Sequence, residues 1–224
     1  ILYVLSDYVD GKPGTISIYD YDLDNDGESL DEIREYDTSG LNEKEWLVED
    51  ISRLKKSSLY DGPAGQEIIQ SELFDYSDGR ANRRADYTYD DGLLGIKTYD
   101  TSNPALTERE KKELGSGELI EESIFDAGQD HLPRQTFTYY DGKIAQRTDY
   151  EYLNDALSFK TYDTLDPRLS EQEKREFGSG KLKDYQVQID IGPDTPQDPS
   201  TQEFIDEAKA NGADVTYTID GNVS

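Results

Sequence analysis

The sequence contains no cysteine and no methionine. Without cysteine there are no disulfide bridges, no thiolate catalysis, no zinc sites with cysteine ligands and no iron–sulfur clusters. Basic residues are scarce as well, because 23 lysines and arginines stand against 50 aspartates and glutamates, a net charge of −27. This charge repels phosphate backbones and anionic lipid surfaces, so we expect no nucleic-acid partner. No apolar run is long enough to span a bilayer, so we expect no membrane insertion.

Apolar residues are also few, at 33% of the 224 residues, against ~45–50% in typical globular domains. Low hydrophobicity combined with high net charge is a signature of disorder. The seventeen tyrosines argue against disorder, because disordered chains are poor in aromatic residues. We therefore expect a folded protein with a thin core, in which tyrosine supplies much of the buried area.

An internal repeat is the strongest signal in the sequence. Residues 97–117 match residues 160–180 without a gap, at an offset of 160 − 97 = 63, and 14 of these 21 positions are identical. A more divergent first copy places Tyr36-Asp37-Thr38 at the same spacing and carries about five additional residues after Tyr21. The chain begins within the repeat frame, which favours excision from a longer array.

Each copy is predicted to form two strands, a helix and two further strands. In copy two, residues 85–90 alternate as a half-buried strand does, and Asp91-Gly92 predicts a hairpin turn. Residues 106–114 predict a helix that opens with a capping box from Thr107 to Glu110. Copy one predicts a more amphipathic helix, with Leu47, Ile51 and Leu54 on one face beside Trp46.

The predicted fold is therefore mainly β with short helices, and three tandem ββαββ repeats of about 63 residues form an extended antiparallel sheet. After the repeats, Pro193–Ser200 predicts a linker, residues 201–211 a helix and Asp214–Ile219 a strand. This tail either completes the sheet or belongs to a following module. The predicted segments are 1–70 (repeat 1 with an acidic insert loop), 71–133 (repeat 2), 134–192 (repeat 3) and 193–224 (linker with helix and strand).

The acidic insert loop is the sharpest chemical signal. Asp22, Asp24, Asp26 and Gly27 form a D-x-D-x-D-G pattern, whose alternating carboxylates can converge on one calcium ion. The pattern resembles the calcium loops of EF-hand, dockerin and integrin-type repeat proteins. It departs from the EF-hand at the twelfth position, where Ile33 replaces glutamate, and the flanking segments are predicted strands. The alternative is a solvated acidic turn. The predicted calcium ligands are Asp22, Asp24, Asp26, Glu28, Asp31 and Glu32.

The tyrosine–aspartate strands resemble a known family. Residues 87–92 and 139–142 combine Tyr-Asp strand ends with Asp-Gly turns, and they are similar to the YD-type repeats of large bacterial and animal surface proteins. The 63-residue unit with its helix departs from the shorter period of that family. The resemblance implies an extracellular, sheet-building module without enzymatic activity.

An enzymatic role has little support in the sequence. The only histidine, His131, falls in a predicted turn, and a chain with 50 acids always offers carboxylate pairs. Gly115-Ser116-Gly117 follows a predicted helix, so it caps that helix and does not form a phosphate loop. We assign no catalytic residue.

Four tyrosines have two interpretations. They either stack on sugar rings from an exposed face or, as we favour, pack the sheet against the helices. These tyrosines are Tyr87, Tyr89, Tyr150 and Tyr152.

The expected function is that of a structural module at the cell surface or outside the cell. It would be stabilised by calcium and form part of a longer fibre, stalk or adhesin, through self-assembly or contact with neighbouring modules. The alternatives are a glycan-binding module that uses the tyrosine faces or calcium, and an acidic glycoside hydrolase.

Overall fold

The structure is a computed structural model that describes residues 2–21, 29–42, 45–46, 50–126, 132–153, 156–191, 199–219 and 222–223. The strands are β1 Leu2–Ser6, β2 Thr15–Tyr21, β3 Leu30–Asp37, β4 Leu54–Asp61, β5 Ile68–Ser77, β6 Arg80–Asp90, β7 Leu93–Asp100, β8 Glu118–Asp126, β9 Pro133–Tyr140, β10 Lys143–Leu153, β11 Ala156–Asp163, β12 Lys181–Ile191, β13 Asp214–Ile219 and β14 Asn222–Val223. The α-helices are α1 Glu108–Lys112 and α2 Pro199–Ala210, and 3-10 helices span Ile51–Arg53 and Glu173–Arg175.

The strands form a fourteen-stranded sheet in which strand order follows chain order. The described registers are antiparallel, with one exception where β12 pairs with β13 in parallel. Helix α2 lies between these two strands in the chain, and a parallel pair requires such a crossover. The predicted mainly β fold with an antiparallel sheet is confirmed. Within the described ranges, no helix is long and apolar enough to cross a membrane.

The predicted Asp-Gly hairpin turns are confirmed. Asp91 has φ +45° and Gly92 φ +76°, and Asp141 and Gly142 have φ +50° and +69°. Two successive residues with positive φ are typical of the type I′ turn, whose twist matches that of the flanking strands. Aspartate tolerates this conformation better than most residues, and glycine adopts it without steric cost.

The helices between the strands are shorter than predicted. The helix expected over residues 106–114 is the single α turn α1, although its capping box is present: the Thr107 N–H donates to Glu110 Oε2 over 2.8 Å, and Thr107 Oγ1 accepts from the Glu110 N–H over 3.2 Å. In copy three, Ser170 and Glu173 exchange the same two bonds, but the turn is 3-10. The three ββαββ repeats are therefore not confirmed by these short helical turns and stay a prediction.

The amphipathic helix predicted in copy one is wrong at Leu54. This residue begins β4 and pairs with Tyr36 of β3, where it is buried in an apolar cluster. Ile51–Arg53 form a 3-10 helix, and Leu47 lies outside the described residues. Leu54 is therefore buried between strands and does not lie on the apolar face of a helix, as its spacing from Ile51 had predicted.

Contacts divide the chain into two compact units. Unit 1 comprises Ile1–Tyr89 with Ile96–Ile120, and unit 2 comprises Asp90–Gly95 with Glu121–Ser224. The predicted segment boundaries after residues 70, 133 and 192 stay predictions. The apolar cluster of unit 1 consists of Ile16, Ile18, Tyr36 and Leu54.

The C-terminal segment of unit 2 joins the sheet. Ile205 and Ala208 of α2 are buried against Val187 and Ile189 of β12, and β13 extends the sheet beside β12 over the predicted Asp214–Ile219. Of the two alternatives for the tail, it completes the sheet. Of the predicted linker, residues 193–198 lie outside the described part of the chain, whereas Pro199 and Ser200 begin α2.

The core is thin, as predicted. In the described part of the chain, 18 apolar and 17 polar or charged side chains are buried, so polar groups occupy nearly half of the buried positions. Only three described tyrosines are buried, Tyr36, Tyr162 and Tyr185. Others, such as Tyr76, Tyr87 and Tyr139, are partly buried, so the expectation that tyrosine supplies much of the buried area stays a prediction. Buried hydroxyl, guanidinium and carboxylate groups need hydrogen-bond partners, and these partners define the sites below.

Candidate functional site

The predicted calcium ligands divide between described and undescribed residues. Asp22, Asp24, Asp26 and Glu28 lie outside the described residues. Asp31 and Glu32 lie on β3, and Asp31 is exposed.

Glu32 is already engaged by cations and a hydroxyl. Its carboxylate lies 3.1 Å from Lys112 Nζ and 3.8 Å from Arg34 Nε, and it accepts a hydrogen bond from Ser57 Oγ. These partners neutralise Glu32 within unit 1. Across the residues that the structure describes, no group of three or more histidine, aspartate or glutamate side chains could hold a metal ion.

The four candidate tyrosines occur in two pairs on β6 and β10. Tyr87 and Tyr89 alternate along β6 with Arg84 and Asp86, so they lie on the opposite face of the strand. The helical segment that includes α1 contacts the Arg84 face through backbone carbonyls. The interpretation that the tyrosines pack the sheet against the helices is therefore wrong for this pair.

The second pair repeats this arrangement in unit 2. Tyr150 and Tyr152 alternate with Arg147 and Asp149 on β10, and the 3-10 segment contacts the Arg147 face. Tyr150 packs against Phe159 with ring centroids 6.2 Å apart. The outer tyrosine of each pair is accessible, with Tyr89 46% and Tyr152 39% exposed.

Glu72 organises the tyrosine face of unit 1. Tyr87 Oη donates to Glu72 Oε2 over 2.7 Å, Ser58 Oγ donates over 2.9 Å, and Lys56 Nζ lies 3.2 Å away. Burial by itself would raise the pKa of Glu72, but the bonds from Tyr87 and Ser58 and the Lys56 charge lower it overall. Burial, followed by the bond to Glu72, raises the pKa of Tyr87. The Tyr87 hydroxyl thus stays neutral near pH 7.

A buried threonine recurs at intervals of 63 residues, each time just after a strand. The threonine hydroxyl donates to a carbonyl in the preceding hairpin, over 2.7, 3.1 and 3.0 Å in chain order. The aspartate before each threonine accepts a backbone N–H two residues further on, over 2.8, 2.8 and 3.0 Å. We call each of these threonines, with the aspartate before it, a threonine corner. Each corner therefore bonds the chain just after a strand to the hairpin that lies 20 to 25 residues earlier. The threonines are Thr38, Thr101 and Thr164, their acceptors are Pro13, Ala81 and Ile144, and the aspartates are Asp37, Asp100 and Asp163.

Unit 1 contains a buried arginine–aspartate pair. Arg84 is 0% exposed, and its Nε and Nη2 donate to the two carboxylate oxygens of Asp86 over 2.6 and 2.8 Å. Arg84 Nη1 donates to the backbone carbonyls of Lys111 (3.2 Å) and Glu113. The guanidinium also stacks on Tyr99, 4.7 Å from the ring centroid. One guanidinium thus fastens α1 to the sheet.

Unit 2 repeats the pair 63 residues later. Arg147 is 0% exposed, and its Nε and Nη2 donate to Asp149 over 2.8 and 3.0 Å. Nη1 donates to the Lys174 carbonyl over 2.8 Å, and Nη2 donates to the Ser179 carbonyl over 2.9 Å. The Gly178 N–H donates to Asp149 over 3.0 Å. The Arg147–Asp149 pair therefore forms hydrogen bonds with backbone groups of the segment that covers it, at Lys174, Gly178 and Ser179.

The sequence pattern did not single out these pairs. The available signal was a charged pair that both copies retain inside a strand, 63 residues apart. These segments are Arg84-Ala85-Asp86 and Arg147-Thr148-Asp149. In the first copy, at the earlier offset of 76 − 8 = 68, the same positions are Ile16 and Ile18. That copy uses apolar contacts at the place where the later copies use an ion pair.

A surface groove lies beside each of the two later corners. The groove of unit 1 has a volume of about 490 Å³ and includes Asp100 and Glu118 in its lining. The groove of unit 2 has a volume of about 780 Å³ and includes Asp163 and Lys181 at the equivalent positions. Lys181 occupies in unit 2 the position that Glu118 occupies in unit 1. The carboxylate pair of Asp100 and Glu118 therefore has no equivalent in the groove of unit 2. Asp100 is already bound by Ser102, whose hydrogen bonds lower its pKa.

Comparisons with known proteins leave the function open. No protein family and no curated protein matches the chain. Among solved structures, the chain is similar to a protein of unknown function from Bacteroides fragilis NCTC 9343, with a TM-score of 0.29 and 11% identity over 60% of this chain and 81% of that chain. A likeness at this level shows nothing about function.

Proposed function

We propose that the chain is a non-catalytic structural module, made of three tandem ββαββ repeats, in a longer fibre, stalk or adhesin outside the cell or at its surface. The observation that carries this proposal is the buried threonine corner, which recurs at Thr38, Thr101 and Thr164 with the same acceptor geometry. Each corner bonds to the hairpin that precedes it by 20 to 25 residues. Stability built from such local contacts is characteristic of tandem repeat proteins.

The buried polar groups support a mechanical role. Arg84 and Arg147 use their donors on a carboxylate and on backbone carbonyls, which fixes the covering segments to the sheet. A buried ion pair that is bonded to a carboxylate and to backbone carbonyls in this way contributes geometric specificity. The YD-type resemblance and the acidic surface are consistent with an exposed, well-hydrated module.

Antibodies raised against the chain test the cellular location. Intact cells that produce the protein should be labelled by immunogold on their outer surface, without permeabilisation. Permeabilised cells and cells lacking the gene serve as the two controls. Label that appears only after permeabilisation would contradict the proposal.

Calcium is proposed as the stabilising ion of the acidic loop. Adding calcium should raise the melting temperature, and chelator should reverse the increase, because an ion that binds only the folded state stabilises it by ~2.7 kcal/mol at ~100-fold excess over Kd. Asp24→Ala should abolish the increase, because it removes a central predicted ligand. Glu176→Ala, which changes an exposed acid outside the loop, should retain it. Equal melting curves with calcium and chelator would refute the calcium site.

Glycan binding is the second candidate, and the accessible tyrosines favour it. Tyr89 in unit 1 and Tyr152 in unit 2 are exposed, each on the side of its own strand opposite the buried arginine that contacts the helical segment. Aromatic rings on such a face can stack on pyranose rings. In affinity electrophoresis with neutral polysaccharides, the chain should be retarded, and Tyr152→Ala should reduce the retardation. Tyr8→Ala, at another exposed tyrosine, is the matched control. An equal effect of both variants would contradict a specific platform.

A further inference from the structure

Ser71 of β5 carries a buried hydroxyl without a hydrogen-bond partner in the protein. The residue is 0% exposed, and its Oγ bonds to no group in the part of the chain that the structure describes. Its cross-strand neighbours are Leu59 of β4 on one side and Asp86 of β6 on the other. Because a buried hydroxyl without a partner costs free energy, this position requires an explanation.

Unit 2 has a longer side chain at the same position. Gln135 of β9 lies opposite Asp149, as Ser71 lies opposite Asp86 in unit 1. The Gln135 Nε2 donates to Asp149 Oδ1 over 2.8 Å and to the Arg175 carbonyl over 3.3 Å. The carboxamide of Gln135 thus connects the sheet of unit 2 to the 3-10 segment that covers it.

The buried aspartates of the two units consequently differ by one hydrogen bond. Asp149 accepts four bonds, two from its arginine, one from a covering glycine and one from Gln135. From the described residues, Asp86 accepts three bonds, two from Arg84 and one from the Gly115 N–H. A carboxylate offers about four acceptor sites. The site that the described residues of unit 1 do not use is on Asp86 Oδ1, which accepts from Arg84 Nε.

We propose that unit 1 binds one internal water molecule between Ser71 and Asp86, in the place of the Gln135 carboxamide of unit 2. The water accepts from Ser71 Oγ and donates to Asp86 Oδ1. It also donates to the carbonyl of Lys112, the last residue of α1, which stands 63 residues before Arg175. Three hydrogen bonds to buried polar groups are typical of an internal water. The site concerns the interior of unit 1 and goes beyond the proposed structural function.

The neighbouring charges favour a neutral ligand at this site. The Arg84 guanidinium donates to the two Asp86 oxygens over 2.6 and 2.8 Å, so the carboxylate already has its cation. A second cation at Oδ1 would lie beside the guanidinium, and like charges repel strongly in a buried site. An anion would face the carboxylate. Water is neutral, and it both accepts from a hydroxyl and donates to a carboxylate.

Urea unfolding of Ser71→Ala, followed by circular dichroism, tests the site in solution. The variant should lower the urea midpoint, because the bound water loses one of its partners. If the hydroxyl has no partner, its removal should leave the midpoint unchanged or raise it. Ser57→Ala is the matched control, because Ser57 is also a buried serine of a strand in unit 1 and its Oγ donates to Glu32. It should lower the midpoint, and Ser71→Ala should shift it in the same direction. An unchanged or raised midpoint for Ser71→Ala would overturn the proposal.

A high-resolution crystal structure identifies the ligand. The full chain should show one ordered water within about 3 Å of both Ser71 Oγ and Asp86 Oδ1. In Ser71→Gln the carboxamide should take the place of this water and bond to Asp86. A Ser71 hydroxyl that donates directly to a protein group, or a metal cation at the site, would overturn the proposal. Surface labelling of cells is independent of these measurements, so the water site and the proposed function can fail separately.

Discussion

Replacing Arg147 by alanine should lower the free energy of unfolding by about 3–5 kcal/mol. The variant leaves the Asp149 carboxylate buried without its cation, and an uncompensated buried charge is among the most costly defects in a protein. It also removes the donors that satisfy the carbonyls of Lys174 and Ser179. Urea unfolding followed by circular dichroism measures the change.

An exposed pair provides the matched control. Arg168 is 87% exposed in its side chain and pairs with Asp166 over 2.6 Å. Arg168→Ala also removes a guanidinium that pairs with an aspartate two residues away. Because this pair is exposed, water can solvate the Asp166 carboxylate that loses its partner. It should change stability far less than Arg147→Ala. Equal effects of the two variants would show that Arg147 is not the anchor of its segment.

The first copy suggests a variant that leaves no buried carboxylate without its cation. Because Ile16 and Ile18 occupy the positions of the ion pair there, Arg147→Ile combined with Asp149→Ile should cost less than Arg147→Ala by itself. Buried ion pairs can often be replaced by apolar groups without loss, whereas removal of one partner is costly. A double variant that loses more stability than the single variant would show that the backbone bonds of Arg147 dominate.

Gly180→Ala should destabilise the protein by at least about 3 kcal/mol. A Cβ at this position would lie 2.6 Å from the carbonyl oxygen of Asp163 and 3.2 Å from Cγ2 of Thr164. The residue also has φ +91°, a conformation that side chains disfavour. The added methyl group therefore pushes directly against the buried threonine corner, which cannot move without breaking its bond to Ile144.

The neighbouring glycine separates the clash from the backbone strain. Gly178 has φ +74°, but a Cβ there meets nothing within 4 Å. Gly178→Ala should therefore cost only about 1 kcal/mol, the penalty for a left-handed alanine. Thermal and urea unfolding of both variants give the comparison. Similar losses would mean that the corner adapts to the methyl group and is less rigid than its contacts indicate.

Local sequence predicted the local elements well. Asp214–Ile219 forms the predicted strand, the Asp91-Gly92 turn has the expected positive φ angles, and Thr107 closes its capping box. These features depend on residues that are neighbours in the chain, so their energies can be estimated from sequence. Leu54 was misplaced because its partner Tyr36 lies 18 residues earlier, on another strand.

The candidate sites were predicted only in part for the same reason. The repeat spacing identified Thr101 and Thr164 within the matching segments, but no sequence pattern showed that their hydroxyls are buried against the preceding hairpin. Arg84 and Arg147 looked like ordinary charged residues of strands. Their burial results from carbonyl groups that lie 27 or more residues away.

By itself, the sequence determined the charge of −27, the lack of thiol chemistry, the 63-residue spacing and the turns, because composition and near-neighbour preferences are properties of the chain. Only the tertiary structure decided which face of β6 the tyrosines occupy, that Arg84 and Arg147 are buried, and that β13 covers β12. These outcomes depend on strand pairing between distant residues. Such pairing sets burial and partners together, and neither can be read from one strand in isolation.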